Sequence, residues 1–147
     1  MGFDLSAAAR QEMIEAGFDP DFPPAVDEQL AALQARAAAG ADGDVRDLRN
    51  LLWFSIDNDT SRDLDQAEVA ERVDGGIRVR IAIADVDSGV PIGSPIDRHA
   101  SAQTTTVYTG VRTFPMLPEQ LSTDLTSLGE HADRLAVVVD MVVAADG

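Results

Sequence analysis

The residues best suited to chemistry are crowded into one stretch, Ser55 to Gln66, where Asp57, Asp59, Asp63 and Asp65 fall close together. Carboxylates at this spacing repel one another and raise each other's pKa unless a cation lies between them. Magnesium suits such a group, because it takes hard oxygen ligands, commonly one or two carboxylates, with phosphate oxygens and water completing the shell. Asp63 and Asp65 are separated by Leu64 alone. In extended backbone both aspartates point to one face and Leu64 turns toward the core. Asp57, at the end of an apolar run, can approach them across the intervening loop. The pattern reads as a metal-binding cup.

Two other readings stand beside it. Charged runs are most often solvated surface, so a plain acidic loop is the bland alternative. The sharper rival is a calcium loop of the EF-hand kind. Counted from Asp57, the residues Asp57, Asp59, Ser61, Asp63, Asp65 and Glu68 fall at its ligand positions, and Leu64 sits where it wants an apolar residue. Against it, Arg62 stands where the turn glycine belongs, and the flanks read as strands where helices are needed.

Those flanks are the elements that must position the aspartates. The run 51–56 (LLWFSI) is short and almost wholly apolar, which predicts a buried strand with Trp53 in the core. Residues 67–73, the turn Asp74-Gly75-Gly76 and residues 77–86 predict a β-hairpin. In its second strand Ile77, Val79, Ile81 and Ile83 alternate with Arg78, Arg80, Ala82 and Ala84, so the isoleucine face is expected to be buried. A short helix is expected after Pro95, and a strand over 134–147 that stops at Asp146-Gly147. Upstream, residues 4–16 predict a helix with Ser6 as N-cap and Gly17 as its stop. A second helix is expected over 25–39, with Pro24 in its first turn, Gly40 at its end, and Val26, Leu30, Leu33 and Ala37 on one face. The stretch 39–44 (AGADGD) reads as a flexible linker, and the residues before it as a lead segment that packs on something else.

Composition bounds the function. Apolar residues make up 45% of the 147, enough to build a core. No apolar run reaches the roughly 18 residues of a membrane span. With no cysteine there is neither a disulfide framework nor a thiolate metal site. The opening MGFDLSAAARQEM lacks a basic and then apolar stretch, so a cytoplasmic location is expected. The net charge of −15 argues against a general nucleic-acid-binding module, which usually shows a basic stripe. Acidic clusters still meet phosphate where divalent cations sit between them.

From Asp47 onward the chain resembles the first part of the RNB catalytic domain of the ribonuclease II/ribonuclease R family. That family carries an aspartate at a strand end, then after a short gap a run Asp-Leu/Phe-Asp-Asp-Ala. Asp57 and Asp63-Leu64-Asp65-Gln66-Ala67 are similar to it, with Asp47-Leu48-Arg49 as a common lead-in. Ile83-Ala84-Asp85-Val86, Gly93-Ser94-Pro95-Ile96-Asp97 and Thr106-Val107-Tyr108 resemble the segments that follow. Pro115-Met116-Leu117-Pro118 with Leu121-Ser122, then Ser127-Leu128 and Asp133-Arg134-Leu135-Ala136, complete the series in the family's order.

The resemblance implies part of an α+β fold, a mixed β-sheet with short helices, preceded by the two lead helices read from the residue pattern. It divides the chain into a helical lead segment and linker, 1–46, and an N-terminal portion of the RNB domain, 47–147. It implies magnesium-dependent 3′→5′ exoribonuclease chemistry on single-stranded RNA, releasing nucleoside monophosphates. Asp57, Asp63 and Asp65 would be the catalytic and metal-holding carboxylates, and Tyr108 would stack on a base near the 3′ end. Stacking tolerates any sequence, which suits such an enzyme. Two departures matter. Gln66 replaces the family's fourth aspartate, an amide oxygen that can ligate but brings no charge, and Tyr108 is followed by Thr109-Gly110 where Leu-Pro is usual. Neither the cold-shock and S1 domains nor the basic channel of complete family members is present, so the expectation is an incomplete piece with little or no nuclease activity. The alternatives are a non-catalytic divalent-cation-binding domain and a degenerate remnant. No membrane or protein partner is inferred. His99 or His131 with Ser94, Ser101 or Ser127 would make a poor hydrolase pair, because nothing brings them together. Arg112 near Tyr108 could meet a phosphate, although a solvated arginine is the commoner case.

Overall fold

A computed structural model describes residues 3–37 and 45–147. The expected linker at 39–44 and the Gly40 helix end therefore lie outside the described residues, apart from the arrival of the second helix at Ala37.

Helix α1 runs Leu5–Glu15. Its cap is Asp4, not the expected Ser6: one Asp4 carboxylate oxygen accepts from the Ser6 and Ala7 amides, each at 3.0 Å. A carboxylate reaches two orphan amides at once and favours the positive end of the helix, which a serine two residues later, already inside the helix, cannot do. Gly17 ends the helix as expected, at φ +88°, with its amide donating to the Ile14 carbonyl at 3.0 Å. Helix α2 spans Pro24–Ala37. Its face of Val26 and Leu30 packs into a core with Val90, Ile96 and Leu121, flanked by Phe22, Leu33, Val86, Leu117 and Leu125. The lead segment thus packs on helix α3, Pro95–Gln103, and on a π-helical turn, Leu121–Leu125. Gln29 fastens it further, its side-chain oxygen accepting from the Ile96 amide at 2.9 Å. Ser94 caps α3 through its hydroxyl, which accepts from the Asp97 amide at 3.3 Å.

The hairpin forms as expected: β1, Gln66–Val73, pairs antiparallel with β2, Gly76–Ala84. The last long strand, which we label after the short pair β3 (Val107–Tyr108) and β4 (Thr113–Phe114), is β5, Ala136–Ala144. It pairs antiparallel with the other edge of β2, giving the order β1-β2-β5, while β3 and β4 make a separate hairpin. Gly76 is required by close approach, since a Cβ there would lie 2.1 Å from the Val143 carbonyl oxygen. The class is α+β, and every described strand pair is antiparallel.

Two further expectations fail. Residues 51–56 do not form a buried strand: Phe54 makes a single bridge to Glu68, and Leu52 and Ile56 are 88% and 80% exposed. The backbone just before is turned, with the Leu51 amide on the Leu48 carbonyl and the Trp53 amide on the Leu51 carbonyl, so a ladder cannot propagate. Trp53 is half-buried, and its indole N–H donates to the Leu48 carbonyl at 2.9 Å. The sheet is also turned over relative to expectation. Arg80 and Ala82 of β2 are buried, with Ala67 and Val69 opposite, while Ile77 and Ile83 stay open. Arg80 tolerates burial because its guanidinium bonds Asp140 at 3.0 Å and Glu71 at 2.9 Å. Burial acts to lower its pKa, but those two carboxylates outweigh it and raise it.

Candidate active site

Asp65 stands immediately before β1, and its carbonyl accepts from the Ala84 amide at 2.8 Å, which locks it in register with β2. Asp63 lies three residues before the start of the strand. Leu64 between them is half-buried, as its apolar side chain requires. Its amide donates to the Ser127 hydroxyl at 3.1 Å and its carbonyl accepts from the Leu128 amide at 2.8 Å. The Ser127 hydroxyl in turn donates to the Arg62 carbonyl at 2.9 Å. Asp57 follows the Phe54–Glu68 bridge, whose paired backbone bonds of 3.0 and 2.7 Å bring that loop alongside β1.

Two of the neighbouring aspartates lie close enough to act on Asp65 electrostatically. The Asp65 carboxyl is pushed above the usual range, chiefly by partial burial and then by the negative charges of Asp63 and Asp57. Asp59 exerts no comparable effect on it. Gln66 is turned aside, its side-chain nitrogen donating to Glu68 at 3.1 Å, which leaves the carbonyl oxygen as its donor atom toward a cation. Among the described residues, no three carboxylate or imidazole side chains close into a metal cage. By chemistry alone the donor set is of the kind magnesium takes, hard oxygens that repel one another. It does not fit an EF-hand, since no helix flanks the loop on either side.

Tyr108 sits on the small β3–β4 hairpin, opposite Thr113, and is 74% exposed. Its ring is open to a stacking partner. Among the described residues no hydrogen bond joins it to the aspartates. Arg112, two residues before Phe114, lays its guanidinium over that ring at 4.8 Å. The histidines and serines form no catalytic pair. His131 is exposed beside Glu130, whereas His99 is buried in α3 with its ring 4.3 Å from that of Phe22. Ser94 caps a helix and Ser127 holds the aspartate loop. Arg49 ties together the two ends of the matched series, pairing with Asp47 at 2.7 Å and Asp133 at 2.6 Å. Its guanidinium holds the Asp47 carboxyl well below the ordinary range.

Comparison with known proteins agrees with this arrangement of motifs. The RNB domain family model matches residues 45–147. The chain belongs to the RNB family. Ribonuclease R of Escherichia coli (strain K12) is 40% identical over 127 residues, covering 86% of this chain and 16% of that protein. Ribonuclease R of Chlamydia pneumoniae is 33% identical over 150 residues, covering all of this chain and 22% of its own length. RNase R of Mycoplasma genitalium in complex with double-stranded RNA superposes with a TM-score of 0.69 at 28% identity, over 90% of this chain and 24% of that one. The same enzyme with ribose-methylated single-stranded RNA gives 0.64 at 32% identity, over 78% of this chain and 19% of that one. This RNB chain thus spans about a fifth of the length of the proteins it matches. No helix among its described residues is long and apolar enough to cross a membrane.

Proposed function

We propose that this RNB chain supplies the acidic part of a 3′→5′ exoribonuclease centre, hydrolysing RNA phosphodiesters and releasing nucleoside monophosphates in the cytoplasm. The observation that carries the reading is the loop fastened at the start of β1, which places Asp65 where partial burial and then the charges of Asp63 and Asp57 push its carboxyl up. The division into a lead segment over 1–46 and catalytic portion from 47 goes with it. Asp57, Asp63 and Asp65 would hold magnesium, with the Gln66 oxygen as a neutral donor. When bound, the ion would lower the pKa of water and offset charge on the phosphoryl oxygens. The aspartates orient the phosphodiester end against that centre, and exposed Tyr108 stacks on a nearby base without reading its identity. Single-stranded RNA ending in a free 3′ hydroxyl is the expected substrate.

The test is a chimera. Residues 45–147 replace the matching segment of Escherichia coli ribonuclease R, and a 5′-labelled RNA is followed with magnesium. Shortening from the 3′ end with monophosphate release is expected, and Asp65→Asn in the chimera should slow it by about a hundredfold or more. A folded chimera that binds magnesium yet leaves RNA intact would favour the non-catalytic cation-binding reading.

A further inference from the structure

We propose that Ser127 is a positioning residue for the aspartate loop, setting the separation of Asp63 and Asp65 and with it the affinity for a divalent cation. This rests on the metal-holding reading of those aspartates. Ser127 is only 4% exposed, and its hydroxyl is used in both directions. It accepts from the Leu64 amide at 3.1 Å and donates to the Arg62 carbonyl at 2.9 Å, so its two partners bracket Asp63. The next residue, Leu128, donates its amide to the Leu64 carbonyl at 2.8 Å. Three bonds therefore hold the backbone on either side of Asp63, and one of them also fixes the peptide that leads into Asp65. No other side chain among the described residues bonds the 62–64 backbone.

The clamp is anchored in the core. Leu121, 1% exposed, packs with Val26, Leu30 and Ile96 and begins the π-helical turn. Thr126 closes that turn, its hydroxyl donating to the Leu121 carbonyl at 2.9 Å. Ser127 follows directly, so packing of α2 against the turn is transmitted to the aspartate loop. Carboxylates that repel one another spread apart unless their backbone is held. A buried hydroxyl spanning the loop does that work without adding charge. Partners that orient metal ligands in this way commonly carry ten- to a hundredfold of the affinity.

The experiment uses the full chain, Mn2+ as the probe, calorimetric titration for affinity and amide exchange by NMR for the loop. Ser127→Ala should speed exchange of the Leu64 amide and weaken Mn2+ binding by about tenfold or more. Ser101→Ala, which removes an exposed hydroxyl on α3 that makes no bond to the loop, should leave Mn2+ affinity near that of the parent. Ser127→Cys, close in volume with a weaker donor, should fall between, and it carries the test if the alanine variant does not fold. Equal Mn2+ affinity in the parent and a folded Ser127 variant overturns the positioning role while leaving the metal reading intact. A parent chain that binds no Mn2+, or that binds it undisturbed by Asp63→Asn and Asp65→Asn, overturns the metal reading and this inference with it.

Discussion

Asp65 is where the site's two demands conflict. Its carboxyl is raised by burial and by Asp63 and Asp57, so the folded chain without metal binds a proton there more readily than the unfolded chain does. The sign follows directly: this group favours folding at low pH, and that contribution is lost as pH rises through the raised folded value. At neutral pH the ionised carboxylate opposes folding until a cation offsets it. Asp65→Asn should therefore raise the melting temperature of the metal-free chain slightly at pH about 7, while abolishing any stabilisation by magnesium. Thermal melts with and without the ion check both halves. The aspartates stood out in the sequence because they crowd into one short stretch and follow the order of the family's motif. Ser127 was not, because a serine carries no signal of its own until the fold brings residue 127 against residues 62 and 64.

Helix α3 joins the lead segment to the rest through His99, buried against Phe22 and close to Asp19 and Arg98. Burial lowers its pKa, and the charge of Asp19 opposes that only in part. A histidine with a lowered folded pKa contributes stability above its unfolded value near 6.5, lost as pH falls through that value toward the folded one. His99→Gln should thus flatten the decline in melting temperature between pH about 7.5 and 5.5, compared with the parent. An identical slope in the two proteins would exclude the contact as its source. At this scale, helix α2 and the hairpin were readable from 3.6- and 2-residue periods. The run 51–56 was not, because an unbroken apolar stretch has no period, and the turns at Leu48–Trp53 left only one rung to pair.

Over the whole molecule two surfaces stand out. The chain carries −15 overall, so its long-range field repels a polyanion and leaves only cation-bridged contact with phosphate. Alone, with magnesium and a labelled single-stranded RNA, it should bind weakly and leave the strand undegraded, as a mobility-shift and time-course assay would show. The second surface is the sheet face on which Ile77 pairs with Val143, Val79 with Met141, Ile81 with Val139 and Ile83 with Val137. Ile83 and Val137 are 46% and 56% exposed. An open apolar face of this kind is unusual for an isolated monomer.

By itself the sequence determined the hairpin, the helices, the acidic character of the site and, through the order of its motifs, the family. These are properties of local spacing and residue type, and both survive in one dimension. Tertiary structure alone decided which face of β2 is buried. Alternation defines two faces but does not choose between them, and paired arginines can occupy the inside when Glu71 and Asp140 lie opposite. It alone decided, too, that the aspartate loop is held from residues 127 and 128. That contact spans more than sixty residues, and only folding brings a hydroxyl so distant in the chain within reach of two backbone groups.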